Sequence, residues 1–248
     1  ARLHEKIFEE RFLYHCDRLG YMVWGEFPNW GLDVTRPDAV YSVLPEWLEE
    51  MERDFNHPAL IGWCPFNETW DYKGRKQEDG LLRMTYRLTK QYDKTRPCID
   101  TSGNYHVVTD IYDVHDYEQN VEIFKNHYDE LANGGELWDQ VNHRGTGVRQ
   151  QYDGKLPVFI SEYGGIGWTK EEKAWGYGNM PKSEEEFIER FRGLTDAILD
   201  NPRIMGLCYT QLTNVEQEQN GLYTYDRQPK FDVKIFREVL TKKAAIED

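Results

Sequence analysis

Two glutamates occupy positions suited to paired carboxylate chemistry. Glu68 follows Asn67 at the end of the apolar run Leu60–Phe66, and Glu162 ends the run Pro157–Ser161 just before Tyr163-Gly164-Gly165. A carboxyl group at the end of a buried strand takes its protonation state from its surroundings. Two of them facing one pocket push their pKa values apart, so that one donates a proton while the other stays ionised. Hydrolysis of a glycosidic bond needs that division of roles: the groups stand about 5–5.5 Å apart in a retaining site and about 6.5–9.5 Å apart in an inverting one. Glu26, Ser102, His115-Asp116-Tyr117 and Gln211 fall at comparable strand ends. Aromatic residues make up 14% of the chain, with 8 Trp and 16 Tyr. Trp63, Trp70, Tyr163 and Trp168 lie near the glutamates in sequence and are expected to offer flat faces on which a sugar stacks.

The elements that must hold these residues follow from the hydrophobic pattern. Short β-branched or aromatic runs mark strands at Tyr21–Glu26, Leu60–Asn67, Cys98–Ser102, Asp110–Tyr117, Pro157–Tyr163 and Ile204–Gln211. Amphipathic stretches mark helices at Glu9–Leu19, Ser42–Asp54, Asp79–Tyr92, Ser183–Asp200 and Asp232–Lys242, with one more near Glu122–Leu131. Ser183 and Glu186 have capping-box spacing, and Gly20 stands where a helix C-terminal glycine belongs. The strands are apolar almost throughout, as in a parallel sheet covered on both faces. Strand–helix alternation without a glycine-rich nucleotide loop favours an α/β fold of the (β/α)8 barrel type. In such a barrel the C-terminal strand ends carry the active site. Glu68 and Glu162 fall about three βα units apart, across the barrel mouth. The Gly103–Thr109 connection is too short for a crossover helix. The expected organisation is one domain over 1–248 with a long polar insertion at about 120–154.

Composition narrows the partners. Acidic residues number 44 against 30 basic, for a net charge of −14 over 248 residues. That surface argues against nucleic acid and anionic membrane. Cys16, Cys64, Cys98 and Cys208 have neither metal nor redox spacing and are expected as free thiols. His4, His57, His106, His115, His127 and His143 include no helical i, i+4 pair with a third ligand nearby, so no metal and no cofactor is expected. The scattered cysteines and the absence of a leader favour the cytoplasm.

The chain resembles the catalytic barrel of glycoside hydrolase family 2, the family of β-galactosidases, β-glucuronidases and β-mannosidases. The likeness lies in Ala1-Arg2-Leu3-His4, Phe12–Glu26, Arg53–Glu68, Arg96-Pro97, Ser161–Gly164 and Asn220–Lys230. It implies a barrel incomplete at its N-terminus, lacking the first strand and most of the second, and a parent with preceding β-sandwich domains. It also implies Glu68 as general acid/base, Glu162 as nucleophile, Asn67 on the sugar 2-hydroxyl and His4 on the glycone. His115 and Tyr117 fall where a family tyrosine touches the nucleophile. The short Gly103–Thr109 link is a family trait. Trp168 and Gln211 are further candidates for substrate binding.

Three departures from the family refine the substrate. Phe27-Pro28-Asn29-Trp30-Gly31 replaces the Glu-x-His of the magnesium-dependent members. Glu218-Gln219-Asn220 replaces the Asn-x-Lys that pairs with a uronate. The eighth strand offers Tyr209 and Gln211 in place of a tryptophan. A neutral glycone such as a β-galactoside is therefore expected as substrate, with a second copy of the chain as a candidate protein partner. The competing expectation is a non-catalytic carbohydrate-binding or scaffold module on the same barrel.

Overall fold

The computed structural model describes residues 1–139 and 149–248. His143 and the middle of the expected insertion lie outside the described residues. The described chain forms two compact units: Ala1–Asp113 with the described part of Asp139–Leu156, and Val114–Trp138 with Pro157–Asp248.

The first unit contains α1 (Glu10–Leu19), β1 (Val23–Glu26), α2 (Val40–Asp54), β2 (Leu60–Cys64) and α3 (Asp79–Tyr92). Gly20 ends α1 in the left-handed conformation at φ 65°, where a side chain would be strained. β1 and β2 pair in parallel, with Val23 opposite Leu60 and Glu26 opposite Cys64. Gly62 is required there, because a Cβ would sit 2.5 Å from the Trp24 ring. The core joins Trp47 of α2 to Trp63 of β2, edge on at 5.6 Å, within a cluster that includes Val43, Met51, Phe66 and Leu82. Each large apolar side chain buried there contributes about 1.5–3 kcal/mol.

Cys98–Ser102 does not form the expected strand. It meets its neighbour only at the bridges Trp63–Cys98 and Asn67–Ser102. Between them the Asp100 carboxylate accepts the amide N–H groups of Val107 and Val108, which ties the segment to the following loop.

The second unit holds β3 (Tyr112–Asp116, beginning at the unit boundary), α4 (Val121–Ala132), β4 (Val158–Gly164), α5 (Glu184–Leu199), β5 (Ile204–Thr210) and α6 (Val233–Leu240). The strands form one sheet in the order β3-β4-β5, with β4 and β5 parallel. Local capping sets the helix starts: the Asn120 side chain accepts from Glu122 and Ile123, Ser183 from Glu186, and Asp232 from Lys234. Phe187, Phe191, Phe231 and Phe236 interlock between α5 and α6. The acidic helix α5 is therefore solvated on one face only.

None of the four cysteines is in a disulfide; Cys208 is half-buried and the other three are buried. Among the described residues no helix is long and apolar enough to cross a membrane.

Candidate active site

In the first unit, the chain leaving β2 is fixed by backbone hydrogen bonds to its parallel neighbour. The Ser102 N–H donates to Phe66 O at 2.8 Å, and the Glu68 N–H donates to Ser102 O at 2.8 Å. Glu68 itself has φ 46°. A non-glycine residue in that region costs about 1–2 kcal/mol, and such strain gathers at functional sites. The Asn29 side chain takes both backbone polar groups of Asn67, at 2.6 and 3.1 Å. This frees the Asn67 side chain to accept from Arg2 Nη2 at 3.1 Å.

Arg2 also grips Glu26 through Nε at 2.6 Å and Nη2 at 3.1 Å, and the Glu5 N–H adds a donor at 3.2 Å. Burial opposes ionisation of Glu26, which is 1% exposed, but Arg2 and His4 hold its carboxyl below the usual range. His4 is half-exposed, with Nδ1 3.5 Å from Glu26. His4, Asn67 and Glu26 therefore belong to one polar cluster. Its organiser, Arg2, was visible in the sequence only as part of the Ala1–His4 motif.

A second buried network supports Ser102. Asp113 accepts from the Ser102 hydroxyl at 2.8 Å and from the Gly103 N–H at 3.2 Å. His106, fully buried, bridges Asp100 at 2.8 Å and Asp113 at 2.9 Å. Burial alone would lower the His106 pKa, yet hydrogen bonds to the two carboxylates raise it well above its ordinary value. This charged clamp replaces the crossover helix that the short Gly103–Thr109 connection lacks.

In the second unit, β4 delivers Glu162 and Tyr163 to opposite faces, as strand alternation requires. Tyr163 is fully buried, its hydroxyl 2.8 Å from Thr195 on α5. Glu162 is 7% exposed and accepts a short hydrogen bond from the Tyr117 hydroxyl, with His115 Nδ1 at 3.4 Å. The Thr210 hydroxyl lies 3.2 Å from the same phenol oxygen, where it can donate to it, and the Tyr117 ring stacks on Tyr177 at 3.5 Å. Burial, reinforced by the Glu162 charge, raises the Tyr117 pKa well above its ordinary value, so the phenol remains a donor. The Gly164-Gly165 pair makes room for these rings: a Cβ on Gly165 would lie 2.4 Å from Tyr177 and 3.2 Å from Tyr117. Tyr177 gave no sequence signal of its own, although the glycine doublet marks the crowding.

Other expected site residues are placed differently. Gln211 donates to Asn220 Oδ1 at 2.8 Å, and Asn220 donates to Glu218 at 3.0 Å. Trp168 packs on Phe231 at 5.3 Å and Phe187 at 5.9 Å. Trp63 and Tyr163 are not stacking platforms: both are fully buried, and the Trp63 indole N–H is held by Asp93 at 2.9 Å. Their strand positions point them at the helices. Trp70 is exposed, and beside Glu68 it shares a cavity with Trp30.

The family model described as glycosyl hydrolases family 2, TIM barrel domain, matches residues 8–244. A β-glucuronidase of Sus scrofa is 26% identical over 268 residues, covering 96% of this chain and 37% of the relative. A β-galactosidase of Thermoanaerobacterium thermosulfurigenes is 30% identical over 115 residues, 44% of this chain and 14% of the relative. The solved structure of Bifidobacterium dentium β-glucuronidase complexed with coumarin-3-O-glucuronide shares the fold. Its TM-score is 0.72 at 19% identity, over 96% of this chain and 40% of that one. β-Glucuronidases predominate among these relatives and solved structures, so the likeness supports a glycosidase of this family but not a galactoside in particular. Matched by the family model over nearly its whole length, the chain belongs to glycosyl hydrolases family 2, as its TIM barrel domain.

Proposed function

We propose that this chain is the catalytic part of a retaining β-glycosidase acting by double displacement on a neutral glycone. Glu68 protonates the departing glycosidic oxygen while Glu162 attacks the anomeric carbon. The leaving alcohol carries the proton away, and a glycosyl-enzyme ester remains on Glu162. Glu68, now a base, takes a proton from water as the water's oxygen displaces Glu162. Asn67 hydrogen-bonds the sugar 2-hydroxyl, a contact that strengthens toward the transition state.

The observation that carries this reading is the setting of Glu162, a buried carboxylate at a strand end aimed by the Tyr117 phenol and flanked by His115. The Tyr117 phenol donates to one carboxylate oxygen and so fixes the orientation of the group. The neutral glycone rests on the sequence: Glu218-Gln219-Asn220 stands where related uronidases carry the Asn-x-Lys that pairs with a uronate, and the Glu218 charge would repel one. A galactoside is one such substrate.

The test is hydrolysis of a panel of aryl β-galactoside, β-glucoside, β-mannoside and β-glucuronide by the full-length protein, with trapping by the matching 2-fluoro sugar. Turnover of a neutral glycoside and a label on Glu162 are expected. Cleavage of the glucuronide alone would overturn the neutral glycone, and a label on another residue would overturn the nucleophile. Glycan binding without turnover, unchanged in Glu162→Gln, would mark a non-catalytic module instead.

A further inference from the structure

A cavity of about 280 Å³ opens beside Glu68, with Asn29, Trp30, Asp33, Trp70 and Tyr72 among its walls. We propose that it is the leaving-group subsite and that it selects a flat aromatic alcohol. The proposal rests on Glu68 being the general acid. The acid donates to the oxygen that departs, so whatever that oxygen belongs to lies on the acid's side of the broken bond. The cavity contains Glu68 in its wall and is built from the two loops that follow β1 and β2.

Those loops are fastened together before any ligand arrives. The Glu78 N–H donates to Val34 O at 2.8 Å. Arg75 donates through Nε to the Thr35 hydroxyl at 2.8 Å and through Nη2 to the Asp33 carboxylate. Asn29 holds Asn67 as described above. The buried Arg149 donates to Asp71 at 2.8 Å, between Trp70 and Tyr72 in sequence. A preformed site loses little entropy on binding, which favours selectivity by shape.

The chemistry of the walls chooses the occupant. The Asn29 amide is engaged at both ends by Asn67. Asp33 accepts from Thr35 through Oδ1 and from Arg75 through Oδ2. A second sugar, which needs several hydrogen-bond partners, would find these groups already committed. The aromatic rings, by contrast, are open. Trp30 is 64% exposed and Trp70 39%, and they meet edge to face at 5.3 Å and 89°, forming a corner with one broad wall. Aromatic rings prefer that arrangement, and a third ring entering the corner can meet one partner face on and the other at its edge. The volume falls just below that of drug-sized pockets, which suits one ring or a fused pair.

The experiment compares kcat/KM for an aryl β-glycoside and a methyl β-glycoside of the same sugar, in the full-length protein and its Trp30→Ala, Trp70→Ala and Trp70→Phe variants. The alanine variants should lose about tenfold on the aryl substrate, the size of one lost aromatic stack, and less than about twofold on the methyl substrate. Trp70→Phe should recover most of the aryl activity. Equal losses on both substrates, or none on either, would overturn the leaving-group pocket while leaving the glycosidase reading intact. Absence of turnover on every glycoside in the unaltered protein would instead overturn the reading on which the pocket depends.

Discussion

Replacing His106 with leucine removes the imidazolium that bridges two buried carboxylates. Leucine fills much of the ring's space, so the main loss is electrostatic: Asp100 keeps its Val107 and Val108 amide donors and Asp113 its Ser102 and Gly103 donors, but both buried carboxylates lose the imidazolium that bridges them. Breaking a buried pair in this way costs about 3–5 kcal/mol. For a chain of 248 residues each kcal/mol moves the melting temperature by about 2–4 °C, so a drop of about 6–20 °C is expected. The double variant Asp100→Asn/His106→Leu should recover part of the loss. It removes one stranded charge, while the asparagine oxygen can still accept from Val107 and Val108.

The pH dependence has a definite sign. His106 titrates higher in the fold than in the unfolded chain. Its contribution is therefore complete below about pH 6.5 and is lost as pH rises through the folded value, which lies well above. His106→Leu should abolish that alkaline decline. Thermal and denaturant unfolding followed by tryptophan fluorescence, at several pH values, tests both statements. A melting change under about 2 °C, or an alkaline decline that survives in the leucine variant, would refute the charged clamp.

Two further predictions concern the second unit. Gly165→Ala forces a Cβ against Tyr177 and Tyr117; kcat/KM should fall by about ten- to a hundredfold, because the phenol that aims Glu162 is displaced. Adding Tyr177→Ala should restore space and part of the rate, and an unimpaired single variant would show that the position of Tyr117 is immaterial. Lys230 donates to the carbonyls of Trp168 and Gln219 at 3.3 Å, and burial lowers its pKa to about 8. Between about pH 8 and 10.5 the unfolded chain binds the extra proton, so the Lys230 contribution to stability should rise with pH across that window, against the opposing His106 contribution. The change in denaturant midpoint from about pH 7.5 to 9.5 should therefore be more favourable in the parent protein than in Lys230→Met, and an equal change in both would refute the buried ammonium.

Much of this arrangement could be read directly from residue order. The helix Asp79–Tyr92 falls where its amphipathic spacing places it, Ser183 caps α5, and Gly20 closes α1 in the conformation that glycine tolerates best. Glu68 and Glu162 stand out in the sequence because each ends an apolar run. All of these signals act within a few residues, over the range that helical and strand periodicities span.

Contacts between distant residues were decided by the tertiary structure. Strand alternation turned Trp63 and Tyr163 inward, while the loop after β1 raised Trp30 beside Trp70. Arg2 meets Glu26 and Asn67 because a parallel pairing brings three separate segments together. The Cys98–Ser102 stretch has the composition of a strand, yet the Asp100 carboxylate draws it into a clamp with the loop beyond. Local pattern marked most of the helical and extended segments and picked out the two candidate carboxylates. The partners of each buried polar group were chosen only when the chain closed, because a charge removed from water must be paired with whatever donor the fold brings within reach.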